Sequence, residues 1–187
     1  MRNLLSALVA FLVVQLPANA YALLQKGADA PAITLDAAHA GKVEQFSLGD
    51  ALSKGPVVVY FYPKSFTSVC TLEANLFAEA MPQFEKLGAS VIGISTDDIE
   101  TQKEFSTKEC RDKFPVAADA DGAVAKAYDS ARARGGDSVM AARTSYVITP
   151  DGKIASAHAA GDAESHIATA LQFLKAHPKN TGTPKAK

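Results

Sequence analysis

One stretch constrains this 187-residue chain more than any other. Val57-Val58-Val59-Tyr60-Phe61-Tyr62 is an unbroken β-branched and aromatic run, which reads as a strand buried on both faces. After a short loop, residues 72–87 place Leu72, Leu76, Phe77, Ala80, Phe84 and Leu87 at helical spacing. Pro82 lies inside that pattern and predicts a kink, and Gly88 predicts the stop. Val91-Ile92-Gly93-Ile94-Ser95 is then a second buried strand. Strand, helix and strand of these lengths predict a parallel, right-handed crossover. Cys70 falls where the loop gives way to the first helical turn. Free N–H groups and the positive dipole end there favour a thiolate over a thiol. Glu73 follows one helical turn later, where it can orient a cation.

The rest of the chain extends the same alternation. Ile33 and Leu35 predict a short edge strand, residues 43–48 a second strand, and residues 49–54 a helical turn. Thr96-Asp97-Asp98 caps a helix over residues 99–110 with Phe105 inward. Residues 114–119 are extended and residues 122–128 form a short helix. Residues 129–142, rich in Ala, Arg, Gly and Asp, read as a mobile loop, with Arg132 and Arg134 on its surface. Residues 143–148 and 153–158 form a hairpin about Pro150-Asp151-Gly152, and residues 163–176 form the last helix. This order predicts an α/β fold with a mixed sheet and helices on both faces.

The two ends differ in character from this domain. Residues 1–20 read as a secretory signal peptide, with Arg2 ahead of an apolar segment over residues 4–16 and a small-x-small site at Ala18-Asn19-Ala20. The apolar run is short for a transmembrane span, although an uncleaved anchor is the alternative. We therefore expect a periplasmic or secreted domain over residues 21–176, with no stable membrane association after cleavage, and a disordered tail over residues 177–187. Nineteen Lys and Arg against 20 Asp and Glu leave no basic footprint for nucleic acid or an anionic membrane. The two cysteines, Cys70 and Cys110, form no CxxC, and no Cys/His spacing suits zinc, so neither a metal nor a cofactor is expected. The four histidines read as surface or core residues.

Pro63, Thr67 and Cys70 make the pattern proline, three residues, threonine, two residues, cysteine. This resembles the peroxiredoxin signature of the AhpC/TSA superfamily. Phe61-Tyr62-Pro63-Lys64 with Cys70-Thr71 is similar in particular to the PrxQ, or bacterioferritin-comigratory, branch. Residues 28–35 resemble the opening segment of that family, and residues 143–153 its arginine-bearing strand and turn. The resemblance covers residues 25–176 and implies a thioredoxin-like fold. It also implies a thiol peroxidase acting on hydrogen peroxide and organic hydroperoxides, recycled by a thioredoxin-like or other thiol reductant, as a monomer or homodimer.

The same resemblance distributes the roles. Cys70 is the attacking cysteine and Arg143 the active-site arginine, whose guanidinium would hold a thiolate and donate to peroxide oxygens. The Thr67 hydroxyl can donate and accept, so it could serve the sulfur and an incoming oxygen together. Pro63 lacks an N–H and stiffens the loop. The family's local resolving position falls on Asn75; other members carry the resolving cysteine on the next helix, and the resemblance thereby implies that role for Cys110, at the end of that helix and about a turn past the usual position. The residues alone leave two alternatives, a structural Cys110 and a permanent disulfide in an oxidising compartment. Competing functions are a thioredoxin-like disulfide oxidoreductase, a copper-handling protein and a non-enzymatic binding module. The first wants a CxxC, the second a nearby second cysteine, and the third has no need of Thr67, Cys70 and Arg143 together.

Overall fold

The computed structural model describes residues 23–136 and 138–178; the expected signal peptide and residues 179–187 of the expected tail lie outside them. Nine strands and five helices follow in the order β1 (Thr34–His39), β2 (Lys42–Ser47), α1 (Leu48–Leu52), β3 (Val57–Phe61), α2 (Ser68–Lys86), β4 (Ser90–Ser95), α3 (Ile99–Lys108), β5 (Val116–Ala118), α4 (Ala123–Ala127), β6 (Ala131–Gly135), β7 (Ser138–Ala141), β8 (Thr144–Ile148), β9 (Ile154–Ala159) and α5 (Glu164–Ala176). Seven strands form one sheet in the order β2-β1-β5-β4-β3-β8-β9. The β3–β4 and β4–β5 pairs are parallel, and the β1–β2, β1–β5, β3–β8 and β8–β9 pairs are antiparallel. The mixed sheet expected from the element order is therefore present, with β3 and β4 at its centre.

The apolar run of β3 explains the layers. Val58, Tyr60 and Tyr62 face a core built with Cys70, Phe77 and Phe84 of α2, Phe105 of α3 and Leu171 of α5. Val57, Val59 and Phe61 face a second core, with Leu48 and Leu52 of α1, Ala125 of α4, and Tyr128. A strand with alternate residues in two cores has no polar face, as parallel central strands require. Tyr60 stacks on Phe77 with ring centroids 4.4 Å apart. It also crosses its strand neighbour Gly93 so closely that a Cβ there would lie 2.7 Å from the phenol.

Four expectations are corrected. Residues 129–142 are not a loop: β6 and β7 pair as a separate two-stranded sheet. The Gly135-Gly136 pair supplies the positive φ of its turn, and Gly122 lacks the Cβ that would strike Val139 of β7. The glycines that suggested mobility are turn chemistry. Second, β1 is not an edge strand, because β5 pairs with its other side. Third, α2 is rolled from the expected face: Leu72 is 43% exposed, while Cys70, Glu73, Ala74 and Phe77 point inward. Fourth, α3 ends at Lys108, so Cys110 lies beyond the helix rather than in its last turn. Pro82 sits within the 19 residues of α2 on its exposed side.

His166 is fully buried; its Nδ1 lies 2.9 Å from the Ser145 hydroxyl, and its ring is edge-on to His158 with centroids 4.7 Å apart. Burial pushes it down to about 4 from an ordinary value of 6.5, and His158 adds to the effect. Between those two values the unfolded chain binds the extra proton, so stability is present above pH 6.5 and lost as pH falls toward 4. His166→Asn should flatten the urea-unfolding free energy across that range. Gly93→Ala should cost about 2 kcal/mol of unfolding free energy at neutral pH, the typical cost of overpacking a filled core, because the Tyr60 ring has no room to move.

Candidate active site

The loop leaving β3 is held from beneath. The Ser65 N–H donates to Asp97 Oδ2 at 2.6 Å, and the Ser95 hydroxyl donates to the same oxygen at 2.9 Å. The Tyr62 hydroxyl donates to Gln102 Oε1 at 2.6 Å, and Gln102 Nε2 donates to the Ser95 hydroxyl at 2.8 Å and the Ala117 carbonyl at 3.1 Å. Together these tie the loop to β4, α3 and β5. Phe66 takes the left-handed conformation, at φ 63°, that bulky residues avoid. Its ring packs edge-on against Phe105, centroids 5.2 Å apart. The sequence places Asp97 only in a helix cap, which Asp98 provides, and does not single out Gln102. Their role is set by contacts across about 30 to 40 positions of chain, which no local pattern displays.

Thr67 is the N-cap of α2, extended at φ −82° and ψ 152°, without a side-chain capping bond. Ser68, Val69 and Cys70 form the first turn, whose N–H groups have no partner within the helix. The Cys70 side chain points into the core and is 1% exposed. Phe66, Val69 and Leu72, its neighbours along the chain, are exposed apolar side chains.

Arg143 immediately precedes β8. Pairing of Phe61 with Thr144 places it beside the end of β3, where the Cys70 loop departs. Its Nη2 donates to Cys70 Sγ at 3.2 Å, and its Nη1 donates to Glu73 Oε2. Glu73 is fully buried and Arg143 nearly so. Burial pushes the Glu73 carboxyl up and the Arg143 guanidinium pulls it down; with that guanidinium donating directly to Oε2, the charged pair is the form the geometry supports. Burial opposes the charge of Arg143, yet Glu73 and Cys70 together hold it above its ordinary value. Glu73 Oε1 has no hydrogen-bond partner among the described residues, so its pairing rests on Oε2 and this guanidinium.

The other sequence candidates are placed as follows. Pro63 lies half-buried between Tyr62 and the exposed loop. The Thr67 hydroxyl donates to the Lys64 carbonyl at 2.9 Å rather than to the sulfur. This leaves its lone pairs for an incoming donor. Cys110 is a free thiol in the same core cluster as Cys70, fully buried past the end of α3. Burial pushes that thiol up, and Glu109 and Asp112 add to the effect.

Residues 26–157 match the AhpC/TSA family. The chain belongs to that family. It is 32% identical over 126 residues to the peroxiredoxin Bcp of Xanthomonas campestris pv. campestris, covering 66% of this chain and 78% of the relative. The solved structure of peroxidoxin BcpB from Mycobacterium tuberculosis superimposes with TM-score 0.74 and 31% identity, over 81% of this chain and 96% of that one. A Xanthomonas campestris bacterioferritin comigratory protein, solved for insight into its alkyl peroxide reduction activity, superimposes with TM-score 0.69 and 29% identity, over 78% and 92% of the two chains. The thioredoxin-like fold expected from sequence is that of these peroxiredoxin neighbours.

Glu73→Ala would leave a buried guanidinium without its carboxylate. Chemical denaturation should show a loss of about 3–5 kcal/mol, the usual consequence of breaking a buried pair from one side. Glu73→Gln, which keeps an acceptor oxygen for Arg143, should lose clearly less.

Proposed function

We propose that this protein is a thiol peroxidase of the PrxQ type, with Cys70 as the attacking sulfur. The observation that carries the reading is the hydrogen bond from Arg143 Nη2 to Cys70 Sγ in the first turn of α2, made by a guanidinium that Glu73 holds from its other nitrogen. A cationic donor and unpaired helix N–H groups around one sulfur give negative charge developing on a bound peroxide a place to settle.

The Cys70 thiolate attacks the terminal oxygen of the peroxide. The S–O bond forms as the O–O bond breaks, and the departing oxygen takes a proton and leaves as water or an alcohol. Cys70 remains as a sulfenic acid. Arg143 donates to the sulfur and to the oxygens as charge moves along the S–O–O line. Thr67, its own proton committed to Lys64, accepts the peroxide O–H and orients it. Pro63 and the bonds from Ser65 to Asp97 keep the loop in place so that orientation costs little. The exposed apolar side chains of Phe66, Val69 and Leu72 near Cys70 in sequence are compatible with the alkyl part of an organic hydroperoxide as well as with hydrogen peroxide.

Cys110 then resolves the sulfenic acid. Its thiol attacks the Cys70 sulfur and gives up its proton, the S–O bond breaks, and the oxygen leaves with that proton as water, giving a Cys70–Cys110 disulfide. Two electrons and two protons from an external dithiol of the thioredoxin type restore both thiols. Residues 1–20 support an exported, periplasmic or secreted, enzyme, whose reductant would share that compartment.

Cys70→Ser should abolish peroxide consumption, and retained activity in that variant would sink the peroxidase reading. Cys110→Ser should consume one equivalent of peroxide and then stop under thioredoxin-driven turnover. Unchanged steady-state turnover would remove Cys110 from the cycle.

A further inference from the structure

Among the described residues, the side-chain hydrogen bonds of Arg143 run toward α2, to Cys70 and to Glu73. Neither fixes the strand from which the side chain leaves. The paired register of β8 closes at Thr144 on both sides, against Phe61 of β3 and Ala159 of β9, so Arg143 lies one residue outside it. Side chains hold this strand end. On one face the Thr144 hydroxyl meets the Ser130 hydroxyl at 2.6 Å. On the other face, which Arg143 shares with Ser145 by strand alternation, the Ser145 hydroxyl lies 2.9 Å from His166 Nδ1.

His166 is a firm support. It belongs to the start of α5, which packs on β8 and β9. Ser145 pairs with His158 across the β8–β9 ladder, so that second imidazole stands on the same face. The two rings meet edge-on, centroids 4.7 Å apart. His158 Nε2 is in turn 2.8 Å from the Ser165 hydroxyl, and the Ser165 N–H donates to Asp162 Oδ1 at 2.8 Å. His166 Nε2 lies 3.4 Å from the Ala160 carbonyl, and the ring has no exposed surface. Burial chiefly, with His158 and Arg143, pushes its proton affinity down against the Ala160 carbonyl and Asp162. A neutral ring therefore stands within electrostatic reach of the guanidinium, where a second cation would repel it.

We infer that His166 is a positioning residue for the peroxidase step: through Ser145 it fixes the open end of β8, and with it the angle at which Arg143 reaches Cys70. The inference rests on the reading of Cys70 and Arg143 as the peroxidase site. His166 acts through Arg143 and not on the sulfur itself. Without the bond to Ser145 the guanidinium can turn off the S–O–O line while Glu73 still holds one nitrogen. Misalignment of that kind slows a reaction without abolishing it.

The test is the single-turnover rate constant of reduced protein with hydrogen peroxide at neutral pH, in a double-mutant cycle. Ser145→Ala and His166→Leu each remove the bond from one side, and each should lower the rate about tenfold, the worth of one buried hydrogen bond. Ser145→Ala keeps the ring in place and carries the test if His166→Leu does not fold. His166→Asn, whose amide offers Ser145 a partner, should recover most of the loss. The deciding background is Arg143→Gln, which keeps a donor for Glu73 and removes the cation. It should itself be slow, and Ser145→Ala or His166→Leu added to it should cost less than a further twofold. A tenfold loss that persists in that background, or no loss from either variant in the wild type, would overturn the positioning role alone. A wild-type rate in Arg143→Gln would overturn the reading of the site, and the role of His166 with it.

Discussion

One guanidinium holds this site together. Arg143 reaches Cys70 with one nitrogen and Glu73 with the other, and all three side chains are withdrawn from water. A planar fork can do this where an ammonium cannot, because its donors diverge at fixed angles. The pairing also decides how α2 sits on the sheet. Burying Glu73 is tolerable only because Arg143 meets it, and rolling Glu73 and Cys70 inward turns Leu72 out to solvent. A hydrophobic pattern read alone places Leu72 inside, since it carries no information about a cation arriving from residue 143.

The sheet makes that arrival possible. Parallel pairing of β3 with β4 and antiparallel pairing with β8 bring the end of β3, the end of β4 and the start of β8 to one edge of the molecule. The Cys70 loop, Asp97 and Arg143 leave from those three strand ends. Polar residues that would be costly in the interior are joined into a connected set there: Tyr62, Gln102, Ser95 and Asp97 satisfy one another beneath the loop. Such a network gives the loop a single resting geometry, which a reaction along one S–O–O line needs.

The two cysteines live in contrasting settings within one core cluster. Cys70 has a cation and a helix start around it. Cys110 has burial and two acidic neighbours, which oppose its ionisation.

The sequence by itself pointed to the class of fold, because the β-branched and aromatic run 57–62 reads as a buried strand and the alternation after it as a crossover. It also marked the candidate side chains for the chemistry. Pro63, Thr67 and Cys70 lie within eight residues of each other, and a pattern that local needs no tertiary information to be seen. The signal over residues 129–142 was present too, as Gly135-Gly136 between alternating residues, but glycine and charge are equally the composition of a loop. What only the tertiary structure decided are the long-range partnerships: Arg143 with Glu73 and Cys70, Ser65 with Asp97, Asn75 with Glu109. Each joins residues on different elements, and their geometry follows from strand register and helix roll rather than from spacing along the chain.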